Sequence, residues 1–236
     1  MLIHYGSWTR AQLSTSRVAS TFQPDAVTEA RVEAAWKAAG ARLGTRLFDG
    51  PVCRVERITA TPTALHVAWS ASSYRWFLGT NGSDAALLPR ADALGTCAVV
   101  VSSDGWLVFG RRSAQVALYP GRAHPFGGMV EPAEAVDLCA EIERELHEEV
   151  GLTPADVSTL TCLGVGVDPQ LAQPELIFAA QTKLARAELV ARLTQGEHSA
   201  CWCVAANRSA IDEALTADDL TPVTRMVLER YRSDLP

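Results

Sequence analysis

The spacing of apolar residues predicts most of the helices and strands in the first part of the chain. Apolar positions recur at helical spacing over residues 25–43, and Gly44 follows as a stop signal, so we expect a helix there. Residues 52–58 and 65–70 alternate apolar and polar side chains around Thr-Pro-Thr, which is typical of paired strands. The aromatic segment at 74–81 is either a core plug or a substrate contact.

Beyond about residue 90, the same patterns predict strands that alternate with helices. This alternation around one acidic helix favours a layered α/β arrangement. We therefore divide the chain into an N-terminal α+β domain (1–90) and a second domain (91–236), with the boundary near 85–93. The predicted strands of the second domain are 94–102, 106–111, 160–167, 175–182 and 200–205, and its further helices are 183–193 and 221–232.

The densest charge pattern lies just after a Gly-Gly turn. Residues 131–149 include eight carboxylates and a single arginine. Like charges three or four positions apart destabilise a helix, so carboxylates that converge on one face indicate a hard cation such as Mg²⁺ or Mn²⁺. The alternative is an ordinary solvated acidic surface. The charged residues that share one helical face are Glu141, Arg144, Glu145, Glu148 and Glu149.

The order of residues in this region resembles the signature of the Nudix hydrolases, G-x5-E-x7-R-E-U-x-E-E-x-G-U, where U is aliphatic. Gly128 and Glu134 have the first spacing, and residues 144–152 match the whole second half. Nine residues, rather than seven, separate Glu134 from Arg144, which leaves the role of Glu134 open. The resemblance implies an α/β/α sandwich with a mixed sheet.

The resemblance also implies a catalytic centre. Glu145, Glu148 and Glu149 are expected to hold Mg²⁺, with Mn²⁺ as a substitute, helped by the carbonyl of Gly128. Arg144 completes this catalytic set and is expected to hold the helix and the turn together through a carboxylate partner. The chemistry is metal-assisted hydrolysis of a diphosphate. The general base stays unassigned.

Three further segments, at 47–51, 74–81 and 107–116, resemble the UDP-glucose and UDP-galactose pyrophosphatases known as Nudix type 22 hydrolases. This likeness implies hydrolysis of a UDP-sugar to UMP and a sugar 1-phosphate. Two alternatives remain. The enzyme acts on ADP-ribose or another dinucleotide, or the domain is a catalytically silent sugar-nucleotide sensor, although a sensor has no need for a complete set of metal ligands.

Candidate substrate contacts come from both domains. Guanidinium groups at the end of the 106–111 strand are suited to a diphosphate, although a pair of arginines also solubilises a strand edge. Glu175 opens a strand where Nudix proteins often place a further carboxylate. Glu197 and His198 precede the last strand, where many carry a base, and an ordinary surface role is equally open. The predicted substrate-binding residues are Tyr74, Arg75, Asn81, Arg111, Arg112 and Glu175.

Composition narrows the class of partner. A net charge of −6 argues against nucleic acid or an anionic membrane as the partner, and it fits an enzyme whose acidic site is completed by a bound metal. The resemblance implies a small-molecule nucleotide sugar as the partner. The chain carries no apolar run of the roughly 20 residues that span a bilayer, and no signal-peptide pattern at its start. Its six cysteines lie mostly in apolar runs, which is typical of buried thiols in a reducing cytoplasm. Nothing in the sequence indicates the oligomeric state.

Overall fold

The computed structural model describes residues 2–81 and 89–234. The predicted boundary at 85–93 falls partly on residues 82–88, which lie outside the described residues. Among the helices that the model describes, none is both long and apolar enough to cross a membrane.

The first part of the chain forms a small three-stranded sheet and two helices. Helix α1 begins after Asp25, whose carboxylate accepts a hydrogen bond from the Thr28 amide at 2.8 Å, and ends at Gly44, which confirms the predicted helix. Strand β4 pairs with β3 antiparallel and with β2 parallel. The elements are β1 (Leu2–Trp8), β2 (Leu13–Arg17), α1 (Ala26–Leu43), β3 (Pro51–Thr61), β4 (Ala64–Ser73) and α2 (Tyr74–Thr80).

The second part builds a larger mixed sheet. Its strands lie in the order β1-β9-β10-β5-β6-β11, with β8 beside β5 and β7 beside β6. Strands β5 and β10 are parallel, and the other described pairs are antiparallel. The elements are β5 (Gly95–Val101), β6 (Trp106–Arg112), β7 (Ala123–His124), β8 (Phe126–Met129), α3 (Leu138–Val150), β9 (Val157–Asp168), β10 (Gln173–Thr182), α4 (Arg186–Arg192), β11 (His198–Ala205), α5 (Arg208–Ala214) and α6 (Pro222–Asp234).

Helices cover both faces of this sheet because successive strand residues point to opposite sides. Val100 of β5 is buried in one apolar cluster with Ile142 of α3. The preceding residue, Val99, is buried in a second cluster with Val227 of α6. The prediction of an α/β/α sandwich with a mixed sheet is therefore confirmed.

The N-terminal segment contributes to the larger sheet as well as to its own. Strand β1, which the apolar pattern did not predict, pairs antiparallel with β9 at the sheet edge. Arg10 then forms ion pairs with Asp137 and Glu143 at the start of α3. The amide of Cys53 donates to the carbonyl of Val130 at 2.8 Å. The division at residue 90 stays a prediction, and the two parts share both hydrogen bonds and ion pairs.

Candidate functional site

Helix α3 presents its carboxylates to a short loop before β11. Its apolar face, with Ile142 and Leu146, is packed in the core, and the acidic residues lie on the remaining faces, from the exposed Glu148 to the buried Glu149. Asp137 caps the helix by accepting hydrogen bonds from the amides of residues 139 and 140. Glu145, Glu148 and Glu149, here called the carboxylate cluster, line a pocket of about 130 Å³ together with residues 194–198.

Arg144 neutralises part of the carboxylate cluster. Its guanidinium lies 2.8 Å from Glu145, 3.0 Å from Glu148 and 3.3 Å from Glu141. The ion pairs described for Arg144 all lie within α3, and one of them engages Glu145, whose carboxylate lies against Gly128. The expected role of Arg144, to hold the helix and the turn together through a carboxylate partner, stays a prediction.

Glu145 lies against the Gly-Gly turn. Its side chain is only 14% exposed, and burial raises its pKa to about 7, with Arg144 opposing this shift and Glu149 adding to it. At position 128 a Cβ would overlap the Glu145 carboxylate, so the glycine lets this carboxylate approach the turn without a shift. The structure thus brings the Gly128 backbone and the Glu145 carboxylate together, and the cation predicted between them stays a prediction.

Glu149 is the most enclosed member of the cluster. Its Oε2 accepts a hydrogen bond from the Gly127 amide at 2.7 Å. Its Oε1 lies 2.9 Å from Nε2 of His198, although the angle is not that of a hydrogen bond, and within the described residues Oε1 makes no hydrogen bond. His198 is 1% exposed, so the residue considered as a loop base is a buried neighbour of Glu149.

The donor atoms of the carboxylate cluster are of the kind that a hard divalent cation binds. It offers carboxylate oxygens close to the Gly128 backbone, and one buried oxygen of Glu149 has no hydrogen bond among the described residues. In the part of the chain that the structure describes, no three His, Cys, Asp or Glu side chains already have the geometry of a metal site. The reason is visible in the contacts: Arg144 engages Glu145 and Glu148, whereas Glu149 turns toward Gly127.

A larger cavity of about 340 Å³ opens beside the carboxylate cluster. Gly127 and Gly128 line it, and Glu197 lines both spaces. Its walls come from both parts of the chain, from α1 and α2 on one side to α6 on the other. The lining residues include Leu43, Arg46, Tyr74, Arg112, Gln115, Leu118, Tyr119, His124, Asp168, Leu171, Gln173, Glu175 and Val223.

The inner wall of the large cavity is polar and acidic. Glu175 is 7% exposed, and burial raises its pKa to about 8, with Asp168 adding to the shift and Arg112 opposing it. Asp168 is also buried and accepts a hydrogen bond from the Tyr119 hydroxyl at 2.8 Å. Tyr119 has a φ of 52°, a left-handed conformation that is uncommon for a residue with a side chain.

Three of the six predicted substrate-binding residues line the large cavity, namely Tyr74, Arg112 and Glu175. Arg111 does not, because neighbouring strand residues alternate in direction and its guanidinium instead contacts Asp219 and the Gly121 carbonyl. Of the two arginines predicted as substrate contacts, Arg112 therefore lines the cavity and Arg111 does not.

Arg75 and Asn81 also lie away from the large cavity. Arg75 forms an ion pair with Glu33, and its guanidinium lies over the ring of Trp36. The side-chain amide of Asn81 donates to Asp92 and to the carbonyl of Ala172, each at 3.4 Å. Both were expected at the substrate because they belong to the aromatic segment, but helix α2 turns only Tyr74 toward the cavity.

Sequence reasoning missed several cavity residues. Asp168 and Gln173 lie at the ends of β9 and β10 and attracted no attention, since each is a lone polar residue beside a turn. Leu118 belongs to the loop between β6 and β7, whose path the apolar pattern does not predict. The one available signal was an acid beside an apolar run: Glu175 directly precedes residues 176–180, and it is one of the predicted substrate-binding residues.

Comparison with known proteins follows this geometry. A family model described as the NUDIX domain matches residues 92–221. The chain is 33% identical over 155 residues to uridine diphosphate glucose pyrophosphatase NUDT22 of Bos taurus, a match that covers 50% of this chain and 53% of that protein. It is 38% identical over 105 residues to the Homo sapiens protein of the same name, which covers 36% of this chain and 35% of that protein.

The matches span about half the length of the bovine relative and about a third of the human one. Among solved structures, the chain is similar to a mutT/nudix family protein from Listeria innocua, with 19% identity and a TM-score of 0.45. That likeness covers 60% of this chain and 92% of the other.

Proposed function

The chain belongs to the Nudix family, and from this premise we propose that it is a Mg²⁺-dependent pyrophosphatase that hydrolyses a nucleoside diphosphate linked to a sugar. The observation that carries the proposal is the position of the carboxylate cluster. It lies beside Gly128, which lines a cavity large enough for part of a nucleotide, and Glu197 lines both this cavity and the pocket of the cluster. The proposed reaction is attack of water on one phosphorus, which cleaves the diphosphate.

Glu145, Glu148 and Glu149 would hold the cation, together with the backbone carbonyl of Gly128. A bound Mg²⁺ supplies an activated water and offsets charge on the phosphate oxygens. The chain's own residues contribute position and charge: the Gly127 amide donates to Glu149 at 2.7 Å, and Arg112 is a partly buried cation that lines the cavity. Mn²⁺ is an acceptable substitute, since it shares the preference for oxygen ligands.

The proposed substrate is UDP-glucose or UDP-galactose, with UMP and the sugar 1-phosphate as products. Two relatives carry the name uridine diphosphate glucose pyrophosphatase, which supports this choice. The polar inner wall, with Asp168, Gln173 and Glu175, offers hydrogen-bonding groups suited to hydroxyls or to a base edge. Arg112 is the proposed diphosphate contact, and Tyr74 the proposed aromatic one.

The test is a substrate panel with the purified chain. We expect Mg²⁺-dependent release of UMP from both UDP-hexoses, faster than cleavage of ADP-ribose, and slow cleavage of nucleoside triphosphates. Excess chelator should stop the reaction and added Mn²⁺ restore it. Faster cleavage of ADP-ribose than of every UDP-sugar would overturn the substrate, and binding of UDP-sugar without turnover would instead indicate a sensor.

We also propose that the protein works in a reducing, cytoplasmic compartment. All six cysteines are free, and four of them, Cys53, Cys97, Cys139 and Cys162, are buried. Burial raises the pKa of each of these four thiols, which keeps them protonated and unreactive. Such thiols are typical of intracellular proteins.

A further inference from the structure

His198 occupies a place that the proposed hydrolysis does not yet use. Its imidazole is almost completely buried, and neither ring nitrogen makes a hydrogen bond of full geometry within the described residues. Buried polar groups without partners are costly, so a native structure retains them for a reason. The polar atom opposite Nε2 is Oε1 of Glu149, at 2.9 Å, and it too has no hydrogen bond among those residues.

The imidazole is confined on two further sides. At position 110 any side chain would overlap the ring, so Gly110 on the neighbouring strand provides the space. The ring of Phe126 meets the imidazole edge-on, with centroids 5.2 Å apart. These contacts enclose the ring at the edge of the pocket that the carboxylate cluster lines, and the large cavity does not include His198 in its lining.

The backbone ties the same two residues together. The carbonyl of Glu149 accepts a hydrogen bond from the amide of Thr194 at 2.8 Å, at the start of the loop that leads to His198. The carboxylate of Glu149 thus lies between the Gly127 amide, which donates a hydrogen bond to Oε2, and the imidazole, whose Nε2 lies 2.9 Å from Oε1. A carboxylate confined on both sides loses less rotamer freedom when it binds a cation than a free one does.

We propose that His198 is a positioning residue, which holds the Glu149 carboxylate against the Gly127 amide so that α3 presents this ligand in a fixed orientation to a divalent cation. The inference rests on the proposed function, because it takes Glu149 as a cation ligand. His198 then acts through Glu149, whereas the sequence left open that this position carries the general base. Removal of a residue that orients a metal ligand typically lowers the metal affinity about 10–100-fold.

The experiment separates the polar contact from the shape of the ring. His198→Gln keeps an amide donor near the place of Nε2 but loses the ring, whereas His198→Leu, of similar size, loses both. His198→Phe keeps the ring and loses the donor. His147→Gln is the matched control. His147 is exposed, lies on α3 as Glu149 does, and contacts only the Leu152 carbonyl among the described polar partners.

The readout is Mn²⁺ affinity, measured from free Mn²⁺ by electron paramagnetic resonance in the absence of substrate, with circular dichroism as the check on folding. We expect the dissociation constant to rise about tenfold or more in His198→Leu and His198→Phe, and to stay within about threefold of the parent value in His198→Gln. The His147→Gln control should bind as the parent protein does. If one apolar variant fails to fold, the other still provides the comparison with His198→Gln.

Two results would overturn the inference alone. They are parent-like Mn²⁺ affinity in both apolar variants, or an equal loss in His198→Gln and His198→Leu, which would show that only the ring shape matters. If the parent protein hydrolyses UDP-sugars and these results appear, the proposed function stands and the positioning role falls. A parent protein that binds no Mn²⁺ at all would instead overturn the cation site of the proposed function, and this inference with it.

Discussion

The carboxylate cluster and the large cavity are neighbours, yet they arise in opposite ways. The cluster takes its three glutamates from two turns of α3, and one helix fixes their spacing. The cavity draws on residues from Leu43 to Val223, brought together by six or more elements. A local motif therefore encodes the proposed chemistry, whereas the proposed specificity is distributed over the fold. This follows the general rule that function lies in sites placed on a fold rather than in the fold itself.

The largest expected effect separates the two regions most clearly. Glu148→Gln and Glu149→Gln should each lower kcat by about a thousandfold, or about 4 kcal/mol, because each removes one charge proposed to hold the cation. Steady-state kinetics with saturating Mg²⁺ and UDP-glucose will measure this loss. Glu143→Gln is the control, since Glu143 lies on the same helix but pairs with Arg10, and its kcat should be nearly unchanged. A rise in KM with kcat retained would contradict the division of roles, because it would indicate that the cluster only binds the substrate.

A second prediction concerns the acidic wall of the cavity. The folded protein holds the pKa of Glu175 at about 8, above the ordinary value of 4.5, because the carboxyl is buried. Between these two pH values, the unfolded chain has released the proton and the folded chain keeps it, so stability falls as pH rises. Each pKa unit corresponds to about 1.4 kcal/mol, so the loss between pH 5 and 9 should amount to a few kcal/mol.

Urea denaturation at pH 5, 7 and 9 checks this second prediction. Glu175→Gln should lose the part of this fall that Glu175 causes, keep the part that Glu145 causes with its pKa of about 7, and be the more stable protein at pH 9. Glu229→Gln, an exposed change on α6, should follow the pH profile of the parent protein. Identical profiles for Glu175→Gln and the parent would show that the carboxyl does not carry the pH dependence.

The smallest expected effect tests which of two adjacent arginines contacts the substrate. Arg112→Ala should raise KM for UDP-glucose about tenfold, or about 1.4 kcal/mol, with a smaller change in kcat, because Arg112 lines the cavity. Arg111→Ala is the matched control and should change KM less than twofold, as its guanidinium pairs with Asp219 outside the cavity. A larger KM effect for Arg111→Ala would reverse the assignment and place the diphosphate on the other side of β6.

The sequence predicted elements well where local signals agree. Helix α1 has a capping aspartate and a glycine stop, and α3 combines an apolar face with Gly151 at its end, so both were found. Strands β1 and β2 and helix α5 were not predicted. All three are short, and the two strands pair with partners that are distant in sequence. Strand β2, for example, pairs with β4 across about fifty residues, and no local pattern encodes such a contact.

The sequence by itself determined the carboxylate cluster, because helical periodicity turns the spacing of Glu145, Glu148 and Glu149 into a shared surface. It also placed Gly128 at the turn before them. Only the tertiary structure decided that Arg112 and not Arg111 faces the cavity, and that His198 lies buried against Glu149. Those outcomes depend on strand register and on packing between distant segments, whereas helical spacing depends on the backbone alone.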